Sequence, residues 1–309
     1  MPWPGWKSIL KRIYTTMGDA DLSLRSAGVA FFGFLSIFPV LACFVLIYGL
    51  VTSRGLLEQQ LTSVQPFLPV AVFEILQERL DSLLSQPETG LGIGLLVSFA
   101  IALWSGSRGT SAMIGAVSSA YREHDDRSFL VNAFISLGMT LGGLFFLVVA
   151  IFAIAAIPVI VENLPFPLFF EQAALWVRWP VLALLVWIAI AVLFRFAPHR
   201  ESARWRWITP GAVVATILWI ALSALFSVYV ENFGNYSATF GSLSVGVVML
   251  LWMYYSTLII LFGASMNAEL EHQTKIDTTT GPAVPMGERG AFVADHLPEQ
   301  SSEKGVNGM

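Results

Sequence analysis

Six long apolar runs, separated by polar connections, constrain what this chain can become. They are Ala27–Val51, a run from Leu91 that stays apolar to Trp104, a run within Val131–Ile160, Trp179–Phe196, Gly211–Val230, and Leu243–Phe262, the last continuing to Ala268. A helix needs about 20 residues to cross ~30 Å of hydrocarbon. Barrel strands would be roughly 10 residues with strict alternation, and these runs are longer and do not alternate. Inside lipid only helices and closed barrels satisfy their own backbone, so each run is expected to be a helix. Composition agrees: 12% of residues are charged and mean hydropathy is +0.70, against roughly 25% charged residues in a soluble domain. The expected fold class is all-α: a polytopic membrane protein, a six-transmembrane-helix bundle with an amphipathic external helical segment.

The second run is the shortest and is followed by "SGSRGTS"; it spans if its helix continues through Arg108. The first run has 25 residues, too long for a signal-peptide core of roughly 7–15, so it is expected to stay in the protein. The organisation expected is an N-terminal cytoplasmic segment 1–26, a transmembrane domain 27–272 and a disordered cytoplasmic tail 273–309. With the N-terminus inside, 14 of the 17 Lys and Arg residues fall on the cytoplasmic side, leaving Arg54, Arg79 and Arg178 outside. The positive-inside tendency selects this orientation, with both termini cytoplasmic.

The connections differ in character. In 52–90, Val70, Phe73, Leu76, Leu80 and Leu83 recur at helical spacing with Glu74, Glu78 and Asp81 off that stripe, which predicts an amphipathic helix packed on the bundle or lying along the interface. Pro165 and Pro167 mark turns in a second external loop, 161–171. The loop 197–207 is basic and aromatic, with Trp205 and Trp207 suited to an interfacial belt and its arginines to anionic headgroups. After Gln273 the chain is polar and without periodicity, the composition of disorder.

Polar residues at membrane depth are costly and usually face a bundle interior. Pro39 should bend the first span, as a fixed kink or as a hinge. Ser98, Ala102 and Gly106, preceded by Gly90 and Gly94, and the pair Gly138 and Gly142, allow close helix packing or a channel lining. Arg108 follows Trp104 and Ser107; it either snorkels to headgroups or binds an anionic group or a carboxylate, for which Glu269 is a geometrically allowed partner. Between the last two spans, "FGNYSATFGS" (233–242) is either an ordered turn or a cavity wall bearing Asn235, Tyr236 and Thr239. Cys43, alone in an apolar run, reads as a small buried hydrophobe.

"WSGSRGTSAMIGAVSSAY" (104–121), "FSVYVENFGNYSATFGSL", "LLWMYYSTLIILFGASMNAELE" and the early "AGVAFFGFLSIFPVL" resemble the YihY/BrkB family of bacterial inner-membrane proteins. The resemblance covers about residues 20–272. It implies a multi-pass inner-membrane protein with a cytoplasmic N-terminus. The family has often carried a "ribonuclease BN" label, some members are associated with serum resistance as virulence factors, and one branch is linked to export of lipopolysaccharide precursors. The resemblance brings no catalytic residue to any position here.

Ribonuclease chemistry needs clustered metal ligands or an acid–base pair. His124, His199, His272 and His296 lie in separate segments, and the sequence has no HxH or HExxH pattern. The net charge of −4 also lacks the basic face that RNA requires. No phosphate-loop motif is present. The chain is therefore expected not to be an enzyme and to need no cofactor or metal. Its expected partners are membrane lipids and an anionic lipid or amphiphile as substrate, not nucleic acid. The function expected is transport or export of that amphiphile, with Trp104, Ser107, Arg108 and Glu269 at its inner part, Asn235, Tyr236 and Thr239 at its outer end, and Pro39 as hinge. The alternative is a non-transporting scaffold for envelope machinery.

Overall fold

The computed structural model describes residues 3–18, 20–51, 78, 88–124, 126–163, 168–233 and 243–298. Among them the chain is helical: α1 Trp3–Met17, α2 Ala20–Val51, α3 Glu88–Ala120, α4 Phe129–Asn163, α5 Leu168–Phe196, α6 Trp205–Phe233, α7 Leu243–His272 and the short α8 Phe292–Asp295. Five of these, α2, α4, α5, α6 and α7, contain stretches long and apolar enough to cross a membrane. The run from Leu91 lies in α3, which continues unbroken past Arg108 to Ala120. Its 33 residues reach roughly 50 Å, so length is sufficient, but the count of spans met by hydropathy among the described residues is five. The amphipathic helix expected around 70–83 lies outside the described residues apart from Glu78, which is off its apolar stripe.

The six long helices form a ring in chain order. Each packs on its successor, and α7 closes the circuit against α2 while also touching α3. The tightest seam joins α6 to α7. A Cβ on Gly211 would clash with the Gly263 carbonyl oxygen and with Asn267 Oδ1. Asn267 uses the proximity, accepting from the Gly211 N–H at 2.7 Å and donating to the Ile208 carbonyl at 2.9 Å. By contrast Gly94, Gly138 and Gly142, expected at close crossings, have nothing near the Cβ position. Gly106 and Gly109 do pack, against Thr140 and against Phe32 and Gly33.

Several polar side chains within the helices satisfy themselves locally, whereas others, among them Ser105 and Ser265, are buried with no hydrogen-bond partner among the described residues. Ser26, Thr140, Thr216 and Thr257 donate to the carbonyl one turn back, which hides a hydroxyl where water is absent. Thr110 and Thr140 join α3 to α4 at 2.8 Å, and Trp219 Nε1 donates to Ser256 Oγ across α6 and α7 at 3.1 Å.

One end of the ring is sealed. Ala120, Phe129, Phe196, Trp205 and His272 bring helix termini there, and the main buried cluster lies behind them, with Ile114, Val117, Phe194, Ile208 and Leu261 at its heart. We call this the polar end. The segment after Gln273, expected to be disordered, is folded onto it from 274 to 298. The backbone of Arg204 donates to the Thr278 carbonyl, Thr280 to Ser202, and Glu201 to Gly290. Composition misled here because two charged side chains organise the segment. Asp277 accepts from Thr279 N–H, Thr279 Oγ1–H and Val284 N–H, while Arg289 donates to the carbonyls of Val284, Ala294 and Lys275. Burial alone would push the Asp277 carboxyl up. The hydrogen bonds from Val284 and Thr279 and the Arg289 charge outweigh it, leaving the group at about 2.

Candidate functional site

The sequence-derived candidates divide between two levels of the molecule. Trp104, Ser107 and Arg108 lie on α3. Arg108 is twelve residues from Ala120, about 18 Å along the axis from the polar end. It is exposed, and its guanidinium sits 5.7 Å from the centre of the Trp104 ring one turn back, a cation–π contact. Ser107 beside it is half-buried. Trp104 closes an exposed apolar stripe on the same helix, formed by Ile93, Leu96, Val97 and Ile101.

No described carboxylate pairs with Arg108, and the contact with Glu269 that the sequence allowed is not made. Glu269 lies at the polar end, about four turns further along the bundle. There it accepts from Arg12 Nε of α1 and from Arg122 Nη2 at 2.6 Å. The rise per residue explains the miss, since fourteen positions separate Arg108 from the arginine that takes its place. Arg122 occupies the left-handed position, φ 59°, just after α3. Glu123 N–H to Ser118 O and Arg122 N–H to Ser119 O complete a Schellman cap around it. A non-glycine there is strained, and here the residue that carries the strain also supplies an ion-pair arm to Glu269.

A second buried pair adjoins the first. Arg200 Nη2 donates to Glu271 Oε2 at 2.6 Å, with side-chain exposures of 3% and 0%. Thr278 Oγ1 adds a bond to the same oxygen at 2.9 Å. The Arg200 guanidinium lies 5.1 Å from the Tyr121 ring centre. Burial would lower the Arg200 pKa, but the charge and hydrogen bond of Glu271 reverse this and raise it. Burial, then the Glu271 charge, push the Tyr121 phenol up. Glu123 is raised by burial, although it accepts from the Phe292 N–H at 2.7 Å. The sequence reading missed this network because its partners are up to 257 positions apart; the run of acids in "NAELEH" opposite four basic connections was the available signal.

Asn235, Tyr236 and Thr239 lie outside the described residues. Pro39 falls within α2, which runs through it without a break in helical assignment. All four histidines belong to the polar end, yet among the described residues no three His, Cys, Asp or Glu side chains converge as metal ligands would.

Residues 13–286 match the family model described as "Virulence factor BrkB". The chain is 30% identical over 280 residues to the "Putative ribonuclease-like protein YfkH" of Bacillus subtilis, covering 87% of this chain and 97% of that protein. It is 28% identical over 202 residues to a "UPF0761 membrane protein IL2447" of Idiomarina loihiensis, covering 64% and 67% of the two chains. A "UPF0761 membrane protein" of Psychromonas ingrahamii shares 34% over 92 residues, 30% and 31% of the respective lengths. No solved structure matches the chain. With the family model spanning most of its length and an apolar helical ring as its fold, this chain is a membrane protein of the BrkB family.

Proposed function

We propose that this protein moves an anionic amphiphile, a lipid or envelope lipid precursor, across the bacterial inner membrane, with both termini in the cytoplasm and Arg108 as the headgroup contact. One observation carries the reading: an exposed arginine far from the polar end, beside an aromatic ring and below an apolar stripe. An arginine within hydrocarbon is expensive and marks a substrate path more often than a structural role. A phosphate or carboxylate offers it bidentate hydrogen bonds, and the stripe from Ile93 to Trp104 suits acyl chains. The basic side chains gathered at the polar end support the cytoplasmic assignment.

The scaffold reading draws on the folded segment 274–298, which gives the polar end a defined surface. It assigns no role to Arg108, so Arg108 separates the two. RNA cleavage, suggested by the name of the Bacillus relative, is not carried over to this chain.

In a strain lacking the gene, lipid extracts are expected to accumulate an anionic envelope precursor. The wild-type gene should clear it, and Arg108→Ala should not, at equal protein level in the membrane. Clearance by Arg108→Ala removes this residue from the mechanism. A deletion strain with an unchanged lipid profile removes the transport reading.

A further inference from the structure

α1 is amphipathic in an unusual sense: one face is committed to protein and the opposite face has no partner among the described residues. Ile9 and Ile13, 0% and 2% exposed, pack with Leu270 against Trp207, Phe262 and Met266. Those contacts fix the depth of the helix. Phe262, Met266 and Leu270 are in the last turns of the apolar stretch Gly246–His272, and Trp207 is in the first turn of Trp205–Val230. α1 therefore lies against the bundle where hydrocarbon gives way to headgroups.

Its outward residues are Lys7, Leu10, Lys11 and Tyr14, at helical spacing i, i+3, i+4 and i+7. Leu10 is 58% exposed and Tyr14 82%. Such side chains gain nothing from water. Two lysines between them suit a surface that is apolar below and negatively charged above. The helix contains no acidic residue, and its third basic side chain, Arg12, is engaged by Glu269. The basic character continues onto the bundle. Arg206 is exposed over the Trp207 ring at 5.5 Å, and Arg195 lies over Trp205 at 4.7 Å.

We propose that the outer face of α1 is a binding surface for anionic phospholipid headgroups, with Lys7, Lys11 and Arg206 as the charge contacts and Leu10 and Tyr14 set between the lipids. Charge sign, depth and the apolar–basic alternation select lipid over a second copy of the chain, which would bring like charges together. This surface is independent of Arg108 and of the transport reading.

The test uses full-length protein in vesicles of phosphatidylcholine and phosphatidylglycerol in equal amounts. A dye is attached at Tyr14→Cys in a Cys43→Ser background. Quenching by acyl-brominated phosphatidylglycerol is compared with quenching by brominated phosphatidylcholine. Both lipids occupy both leaflets, so the direction of insertion is immaterial. The anionic lipid should quench several-fold more strongly, up to the roughly thirty-fold preference that two lysines at a headgroup surface can supply. Lys7→Gln with Lys11→Gln should lower the ratio severalfold, and adding Arg206→Gln should bring it to one, without altering thermal unfolding; high salt should shrink it. Equal quenching by the two lipids in the parent protein overturns the proposal. So does a dye that neither lipid quenches, or one whose shielding disappears on dilution of protein in the membrane, the signature of a second copy.

Discussion

The polar end and the level of Arg108 treat charge in opposite ways. At the polar end, Glu269 and Glu271 are buried and each is held by arginines from remote parts of the chain. These charges are consumed by architecture: they join α1, the turn after α3, the 197–204 loop and the C-terminal segment to the end of α7. At the Arg108 level a guanidinium is exposed beside an aromatic ring and has no carboxylate partner among the described residues. A charge already spent on packing has little left for a ligand, whereas among the described residues no group takes up the five donors of Arg108. Sequence position near a membrane boundary does not distinguish the two cases; distance along the helix does.

Removing one partner of the buried pair should break the contrast most severely. Glu271→Ala leaves Arg200 buried without its carboxylate, which costs about 3–5 kcal/mol. A large drop in the unfolding temperature of the purified protein is expected, with new protease cleavage in 274–298. Arg108→Ala, removing an exposed side chain, should stay within about 0.5 kcal/mol in the same measurement.

Next in size is the α6–α7 seam. Gly211→Ala forces a methyl into the Gly263 carbonyl, and overpacking of this kind reaches about 3 kcal/mol. Gly138→Ala meets open space and should be neutral or slightly stabilising, since alanine is the better helix former. Equal effects at the two glycines would show that the seam is not as close as described.

The smallest effect concerns pH. The Asp277 carboxyl is lowered from 3.8 to about 2 in the folded protein. Its contribution is present above the unfolded value and is lost as pH falls from about 4 through about 2. Glu123 is raised by burial, so its sign is opposite: its contribution is present at low pH and fades as pH rises through its folded value. Hydrogen-exchange protection at the Thr279 and Val284 amides, both bonded to Asp277, should fall across that acid window. Asp277→Asn should flatten the response.

What the sequence disclosed was what is local. Apolar runs located the helices because hydropathy is summed over neighbouring residues, and "SGSRGTS" continued as helix because it contains no proline. The ring order was not legible, and neither were its pairings: Glu269 finds Arg122 across 147 positions, and nothing in either neighbourhood names the other. The tail was misjudged because its order comes from a few buried polar bonds around Asp277 and Arg289, which composition averages away. Small residues were a weak guide for a related reason. Gly138 and Gly142 have the spacing of a packing motif without a neighbour, while Gly211 and Gly263 lie on different helices and form the closest crossing.

The closure of α7 on α2 has a consequence for biogenesis. Of the six long helices described, the first to leave the ribosome is packed in the finished protein by the last. α2 must therefore wait in the bilayer, partly unpartnered, while four further long helices are made. Arg12 and Arg122 likewise remain without their shared carboxylate until Glu269 emerges. Completion of the ring and neutralisation of its charges thus wait for α7, and a chain interrupted before it is left with an open seam and three unclaimed arginines, Arg12, Arg122 and Arg200, for the quality-control machinery to meet.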